Sequence, residues 1–255
     1  MPARDAEPSA IEVLFARLVS IGERREQIEE CLADAAMDDD EMRALLRRAV
    51  PVRALEVVAT RPPWSERPRV LVAVVLSPRA PRALSVRLVD SLFWRDQALV
   101  AATTRLNLAV RARAEALLLE QLPRLGLGSR VALAHAATPN LLAALLVDPD
   151  PRVIRAALES PRLTESSLLR ALRASPLAQR LVDEVLRSGR WSECYAARLE
   201  IVLHPQMPIA IALGQITSLA RRDLRRLVDT DGLRPLLQAA ALRVIREGPV
   251  GPSIS

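Results

Sequence analysis

Apolar residues at Ile11, Leu14, Phe15 and Leu18 follow the i, i+3, i+4, i+7 spacing that gathers them on one stripe of a helix, and Gly22 closes the segment. An acidic second helix is expected through about Ala36. The run Asp38-Asp39-Asp40-Glu41 then opens a third helix, where carboxylates favour the positive end of the dipole, with Arg43, Arg47 and Arg48 toward the other end. It reads as capping and not as a metal site. Beyond it, prolines fall between apolar stripes and not inside them, because proline lacks an N–H and disfavours helix at the preceding residue. Thr138-Pro139 reads as an N-cap followed by the first helical residue, and so does Asp150-Pro151 in the turn Asp148-Pro149-Asp150-Pro151. The pattern predicts an all-α chain of short helices and short loops.

Sliding the sequence by 127 positions aligns Val75–Leu118 with Val202–Ile245 without a gap, with 13 identities over 44 positions. Pro78/Pro205, Pro81/Pro208, Arg95/Arg222 and Asp96/Asp223 are among them, and exchanges such as Leu84/Ile211 and Val89/Ile216 preserve the apolar phase. The unit reads as helix, Pro-x-x-Pro turn, helix, Arg-Asp turn, helix, helix. Leu76-Ser77-Pro78-Arg79 recurs as Leu158-Glu159-Ser160-Pro161-Arg162 with one residue inserted, and more weakly at Ala134–Pro139. Self-similarity at such periods is a signature of solenoids.

The stretch from Thr138 to Pro161 carries Asp148-Pro149-Asp150-Pro151 at its turn and Arg152-Val153-Ile154-Arg155-Ala156-Ala157 after it. It resembles the bacterial leucine-rich repeat variant, whose units alternate a short helix with a second helix after an Asp-Pro-Asp-Pro-like turn. It is also similar to HEAT repeats, in which Asp-Pro-x-Val-Arg-x-x-Ala is common. The resemblance covers one and a half units well and about half the chain loosely. It implies an α-solenoid, a right-handed HEAT/ARM-like superhelix of short antiparallel helices that presents one face to a partner, usually protein. The variant-repeat family is known with a cysteine-ligated iron–sulfur cluster near the N-terminus. Cys31 alone cannot supply such ligands, so no cofactor is expected. The organisation expected is an acidic helical segment over 1–60 packed on the solenoid, a helical repeat domain over 61–248, and a disordered tail over 249–255.

Composition changes this picture little. A chain of 255 residues buries a sizeable core without metal or disulfide. Its only aromatic residues are Phe15, Trp64, Phe93, Trp94, Trp191 and Tyr195, so the core must be mostly Leu, Ala and Val. All 36 basic residues are Arg, and Asn occurs only at Asn107 and Asn140. This is the profile of a GC-rich, bacterial coding sequence, and it accounts for the Arg content without invoking nucleic acid. Charge is uneven: residues 1–60 carry 13 acids against 8 Arg, a net of −5, and the rest carries a net of +11. Cys31 and Cys194 form no CxxC or Cys/His spacing and read as free thiols of a reducing cytoplasm. The N-terminal segment has no apolar h-region, and the longest apolar run, Val70–Leu76, is far too short to span a bilayer. A cytoplasmic protein without a membrane segment is expected.

Candidate chemistry is sparse. His135 and His204 each end a helix before a turn, and His204 fills the slot of Ser77, which points to capping of carbonyls and not to proton transfer. Cys194 lies ten residues before His204, about 15 Å along one helix, which excludes a direct pair. Gly126-Leu127-Gly128-Ser129-Arg130 lacks the third glycine of a dinucleotide fingerprint and the Lys of a P-loop, and reads as a helix break. Trp94 and Trp191 are candidates for an interaction surface, weighed against filling gaps between small helices. Arg221, Arg222, Arg225 and Arg226 form the densest basic patch, with Leu224, Leu227 and Val228 as the buried stripe. No acid, base and nucleophile converge at motif spacing.

These features predict a noncatalytic protein-interaction scaffold with an unidentified protein partner. The rival is an Arg-rich nucleic-acid-binding HEAT-like protein. Its glycosylase-like enzyme version is disfavoured because Trp94 and Asp96, two residues apart, lie on different helix faces.

Overall fold

A computed structural model describes residues 9–174, 176, 179–230 and 232–247; the expected tail over 249–255 lies outside the described residues. The chain divides into two units, Met1–Arg124 and Leu125–Ser255. All regular structure among the described residues is helical. The first unit contains α1 (Ala10–Ile21), α2 (Arg25–Ala33), α3 (Asp39–Leu46), α4 (Val52–Thr60), α5 (Pro68–Leu76), α6 (Arg82–Val89), α7 (Trp94–Ala102) and α8 (Leu108–Gln121). The second contains α9 (Leu127–Ala136), α10 (Pro139–Leu145), α11 (Pro151–Glu159), α12 (Glu165–Leu172), α13 (Gln179–Arg187), α14 (Tyr195–Leu203), α15 (Ile209–Ile216), α16 (Arg221–Val228) and α17 (Pro235–Glu247).

The helix ends follow from local chemistry. Ser9 and Asp38 each close a capping box with the acid three residues on, Glu12 and Glu41, so that two orphan N–H groups are satisfied reciprocally. Thr138 and Asp150 cap α10 and α11, whose first residues are Pro139 and Pro151. The Asp150 carboxyl is pulled down to about 2, first by its bond to the Arg152 side chain and then by the Arg152 N–H. Gly22 stops α1 at φ 69, a left-handed conformation that L side chains rarely adopt. Such caps matter because helices of seven to fourteen residues are too short to stand alone in water and depend on their packing.

That packing has a regular order within each unit. In the first, α1 lies on α3, α2 on α4, α3 on α5 and α6 on α8; in the second, α10 lies on α12, α11 on α13, α12 on α14 and α15 on α17. Helices two apart in the chain therefore share a core. Aliphatic side chains such as Ile28, Leu45, Leu55 and Val74, and in the second unit Leu142, Ile154, Leu181 and Val202, are fully buried there. Each such burial contributes about 1.5–3 kcal/mol.

The two units follow one plan. Helices α13 to α17 begin at Gln179, Tyr195, Ile209, Arg221 and Pro235, each 127 positions after the starts of α4 to α8. Helices α11 and α12 begin 126 positions after α2 and α3. The correspondence thus runs well upstream of Val75, where identities fade. It includes a matched anchor: the indole N–H of Trp64 donates to the carbonyl of Leu32 at 3.1 Å, and that of Trp191 to the carbonyl of Leu158 at 2.8 Å. Both rings are buried, so the N–H needs a partner and finds a helix-end carbonyl some thirty residues back. Further side chains make the same reach: Arg162 to the carbonyl of Ala136 at 2.9 Å, and Arg180 to that of Pro149 at 2.9 Å.

His204 belongs to this set. It stands just past α14, its Nδ1 accepts the N–H of Gln206 at 3.1 Å, and its Nε2 faces the carbonyl of Ala174 at 3.3 Å, which calls for a proton on Nε2. The expected capping of its own helix's carbonyls is thus corrected: it closes the following turn and bonds a carbonyl thirty residues earlier. Cys194 and His204 sit at opposite ends of α14. Cys31 is buried and Cys194 half-buried, both as free thiols, and burial pushes the Cys31 thiol up. Among the described residues no helix is long and apolar enough to cross a membrane.

Candidate anion-binding groove

Val70, Val72, Val74 and Val75 of α5 are buried, and Arg69, Val72, Ala73 and Leu76 follow one another at i, i+3, i+4 and i+7, with Val72 at the edge of the core. The second set borders a cavity of about 340 Å³. On one side α3 supplies Arg43, Leu46 and its C-capping Arg47. On the other, α7 supplies Asp96 and Leu99, and the loop after it supplies Arg105. Because α3 packs on α5 and α5 on α7, every second helix contributes a wall, and the cavity lies wholly within the first unit.

The electrostatics are lopsided: four arginines and one aspartate line the cavity. Arg43 is paired with Asp40 at 2.7 Å, an exposed bridge one helical turn long. Among the described residues, the side chains of Arg47, Arg69, Arg105 and Asp96 have no hydrogen-bond or ion-pair partner. Asp96 is half-buried, and that burial pushes its carboxyl above the usual range. The floor between the charges is aliphatic, and Leu99 is 49 % exposed. The groove can therefore receive an anion that is itself partly apolar.

The matching positions of the second unit have lost this character one by one. Arg43 is replaced by Leu169, Arg69 by Ala196 and Arg105 by Gly232. Arg47 is retained as Arg173, the C-cap of α12, but Glu200 now stands where Ala73 stands and binds it in a very short ion pair. Asp96 is retained as Asp223, only 4 % exposed, and it accepts a hydrogen bond from the Tyr195 hydroxyl, which replaces Pro68. That bond, against the opposing pull of burial and with Arg222 and Arg226 nearby, holds the Asp223 carboxyl below the usual range. Burial and the bond to Asp223 together push Tyr195 up.

The basic patch singled out from sequence lies on α16, with all four arginines exposed and Leu224 and Leu227 buried beneath them. Much of its charge is already spoken for. Arg222 and Arg226 face the Asp223 carboxylate at 3.6 and 3.5 Å, and Arg221 donates to the carbonyl of Ile245 at 3.2 Å. Of the four side chains, that of Arg225 alone has no partner among the described residues. Trp94 is the first residue of α7, half-buried, with the Arg95 guanidinium 5.2 Å from its ring. Trp191 is 3 % exposed and covered by Arg190 at 4.2 Å, so little of its ring is left for a partner. Trp94 belongs to the first unit, and Trp191 and the patch to the second.

Sequence reasoning passed over the groove because Arg43 and Arg47 have a sufficient local explanation at the end of α3. The available signal was the polar-ended stripe Arg69-Val72-Ala73-Leu76 within an otherwise apolar helix. Among the described residues no group of three or more His, Cys, Asp or Glu is arranged to hold a metal ion. Comparison of the chain with family models, with curated proteins and with solved structures returns no match.

Proposed function

We propose that the chain is a noncatalytic, cytoplasmic protein-interaction scaffold in which stacked helix pairs form a HEAT-like or leucine-rich-repeat-variant-like α-solenoid. The order of packing supports this reading: helices two apart share a core within each unit, and side chains bond carbonyls about thirty residues back. The single observation that carries it is the groove across α3, α5 and α7, a row of surface side chains from alternate helices with three unpaired arginines. Arginine does not titrate in the physiological range, so such a lining suits recognition better than proton transfer.

The test is affinity capture by the full chain from the native organism, with and without nuclease. Retention of the same proteins after nuclease is the expected result. Loss of everything captured would move the assignment to the rival reading, nucleic-acid binding through Arg221, Arg222, Arg225 and Arg226. Exposure of all four side chains favours that rival; engagement of two of them by Asp223 weakens it. As an incidental basic surface, α16 should hold duplex DNA weakly at about 50 mM salt and release it by about 200 mM.

A further inference from the structure

We propose that the arginine groove of the first unit docks an acidic, extended segment of a partner protein in which aliphatic side chains alternate with carboxylates. This rests on the interaction-scaffold reading and names the chemistry of the partner.

The charge balance comes first. Three unpaired guanidinium groups line one cavity, and a carboxylate placed among them gains charge-assisted, bidentate hydrogen bonds. The occupant must also be apolar in part, because Val72, Leu76 and Leu99 lie between the arginines. A nucleic acid fits less well. No aromatic side chain lines the cavity to stack on bases.

Asp96 has a use in a peptide complex. A half-buried carboxylate with no donor is costly, and a backbone N–H of an extended segment can supply one. Size favours a peptide over a small acid as well. Neighbouring helix axes are about 8–10 Å apart, so a path across α3, α5 and α7 runs about 16–20 Å. That is the length of about five or six extended residues at about 3.3 Å each.

The second unit serves as the molecule's own control. There the same positions carry Leu169, Ala196 and Gly232, and the one arginine kept is neutralised by Glu200. Placing that glutamate in the first unit, as Ala73→Glu, should set a carboxylate beside Arg47 and close the groove without touching the core.

The experiment measures fluorescence anisotropy of a labelled peptide of alternating Glu and Leu, about eight residues long, with the full chain at about 100 mM salt. Micromolar binding is expected, weakened at least about tenfold by Ala73→Glu and abolished by Arg47, Arg69 and Arg105 changed together to Gln. Glu200→Ala should leave it within about twofold, as should changing Arg221, Arg222, Arg225 and Arg226 to Gln. Circular dichroism confirms that each variant keeps its helix content. Binding that survives the triple change overturns the proposal, and so does a single-stranded oligonucleotide of equal charge binding tighter than the peptide through the same three arginines. Full displacement by millimolar succinate likewise overturns it in favour of a small acid. Protein capture that persists in Ala73→Glu leaves the scaffold reading intact and removes the groove from it. Capture of nothing by wild type removes the scaffold reading, whereas the peptide pattern above would still assign the groove.

Discussion

Helices α3, α5 and α7 of the first unit and α12, α14 and α16 of the second share their order, and α3 and α12 share a C-capping arginine, yet their outward charges are handled in opposite ways. At the matching positions of the second unit the acids are paired: Glu200 holds Arg173, and Asp223 is bonded by Tyr195 and flanked by Arg222 and Arg226. In the first, Asp96 and three arginines stand unpaired around a cavity. Both arrangements rest on buried aliphatic side chains, Leu45 and Val74 in the first unit and Ala171 and Ile201 in the second among them. The difference teaches that the scaffold does not require these charges to be paired, so the unpaired set of the first unit is free to serve recognition.

The largest expected effect tests whether the units do share a plan. Trp64→Ala and Trp191→Ala each remove a buried ring and leave a helix-end carbonyl without its donor, at Leu32 and Leu158. Each should cost about 3–5 kcal/mol in denaturant unfolding, to similar degrees. A loss below about 1 kcal/mol for either one would break the equivalence on which the comparison stands.

Smaller shifts of opposite sign are expected at the matched acids. Burial raises the Asp96 carboxyl in the folded state, so its ionised form is a cost at neutral pH that is relieved as pH falls through the raised value. Asp96→Asn should therefore raise Tm at pH 7, with the advantage shrinking on acidification. The Asp223 carboxyl is lowered, chiefly by the Tyr195 hydroxyl, so its contribution is present above the unfolded value of about 3.9 and is lost as pH falls through the lower folded one. Asp223→Ala should lower Tm at pH 7, and the gap to wild type should close only in strong acid. Equal and same-signed shifts in the two variants would erase the distinction between an open groove and a paired one.

Much of the helical order was legible from sequence. The apolar stripe ending at Gly22, the acid run before α3, and Thr138-Pro139 and Asp150-Pro151 all express local rules that act within four residues, and each falls where those rules place it. The shift by 127 also runs upstream of Val75, where Trp64-Ser65-Glu66 recurs as Trp191-Ser192-Glu193, and it becomes 126 only between α3 and α4. The groove was not legible. Its residues come from three segments spread from Arg43 to Arg105, and their lack of partners is a property of packing, not of spacing. The patch on α16 stood out in sequence for its density, while Asp223 at its centre, which engages two of its arginines, became visible only with the fold.

The smallest effect separates the starts of α3 and α12, which occupy the same place in the two units. Asp38 accepts the N–H groups of Asp40 at 2.9 Å and Glu41 at 2.8 Å, and Glu41 returns the bond to the Asp38 N–H at 3.0 Å. Thr164 accepts only the N–H of Ser167, at 3.3 Å, and shares its hydroxyl with Ser166 and Ser167. Two good acceptor bonds and a charge at the positive end of the dipole make the aspartate the stronger cap. Asp38→Ala should cost about 1–2 kcal/mol and Thr164→Ala about 0.5–1 kcal/mol in urea unfolding. Asp38→Asn keeps the acceptor but not the charge, and it should recover most of the Asp38→Ala loss at high salt, where the dipole term is screened. If Asn recovers nothing under those conditions, the carboxylate of Asp38 is valued for its charge and not for capping. The acid run that opens α3, which also supplies Asp40 to Arg43, would then belong to the electrostatics of the groove and not only to the helix beneath it.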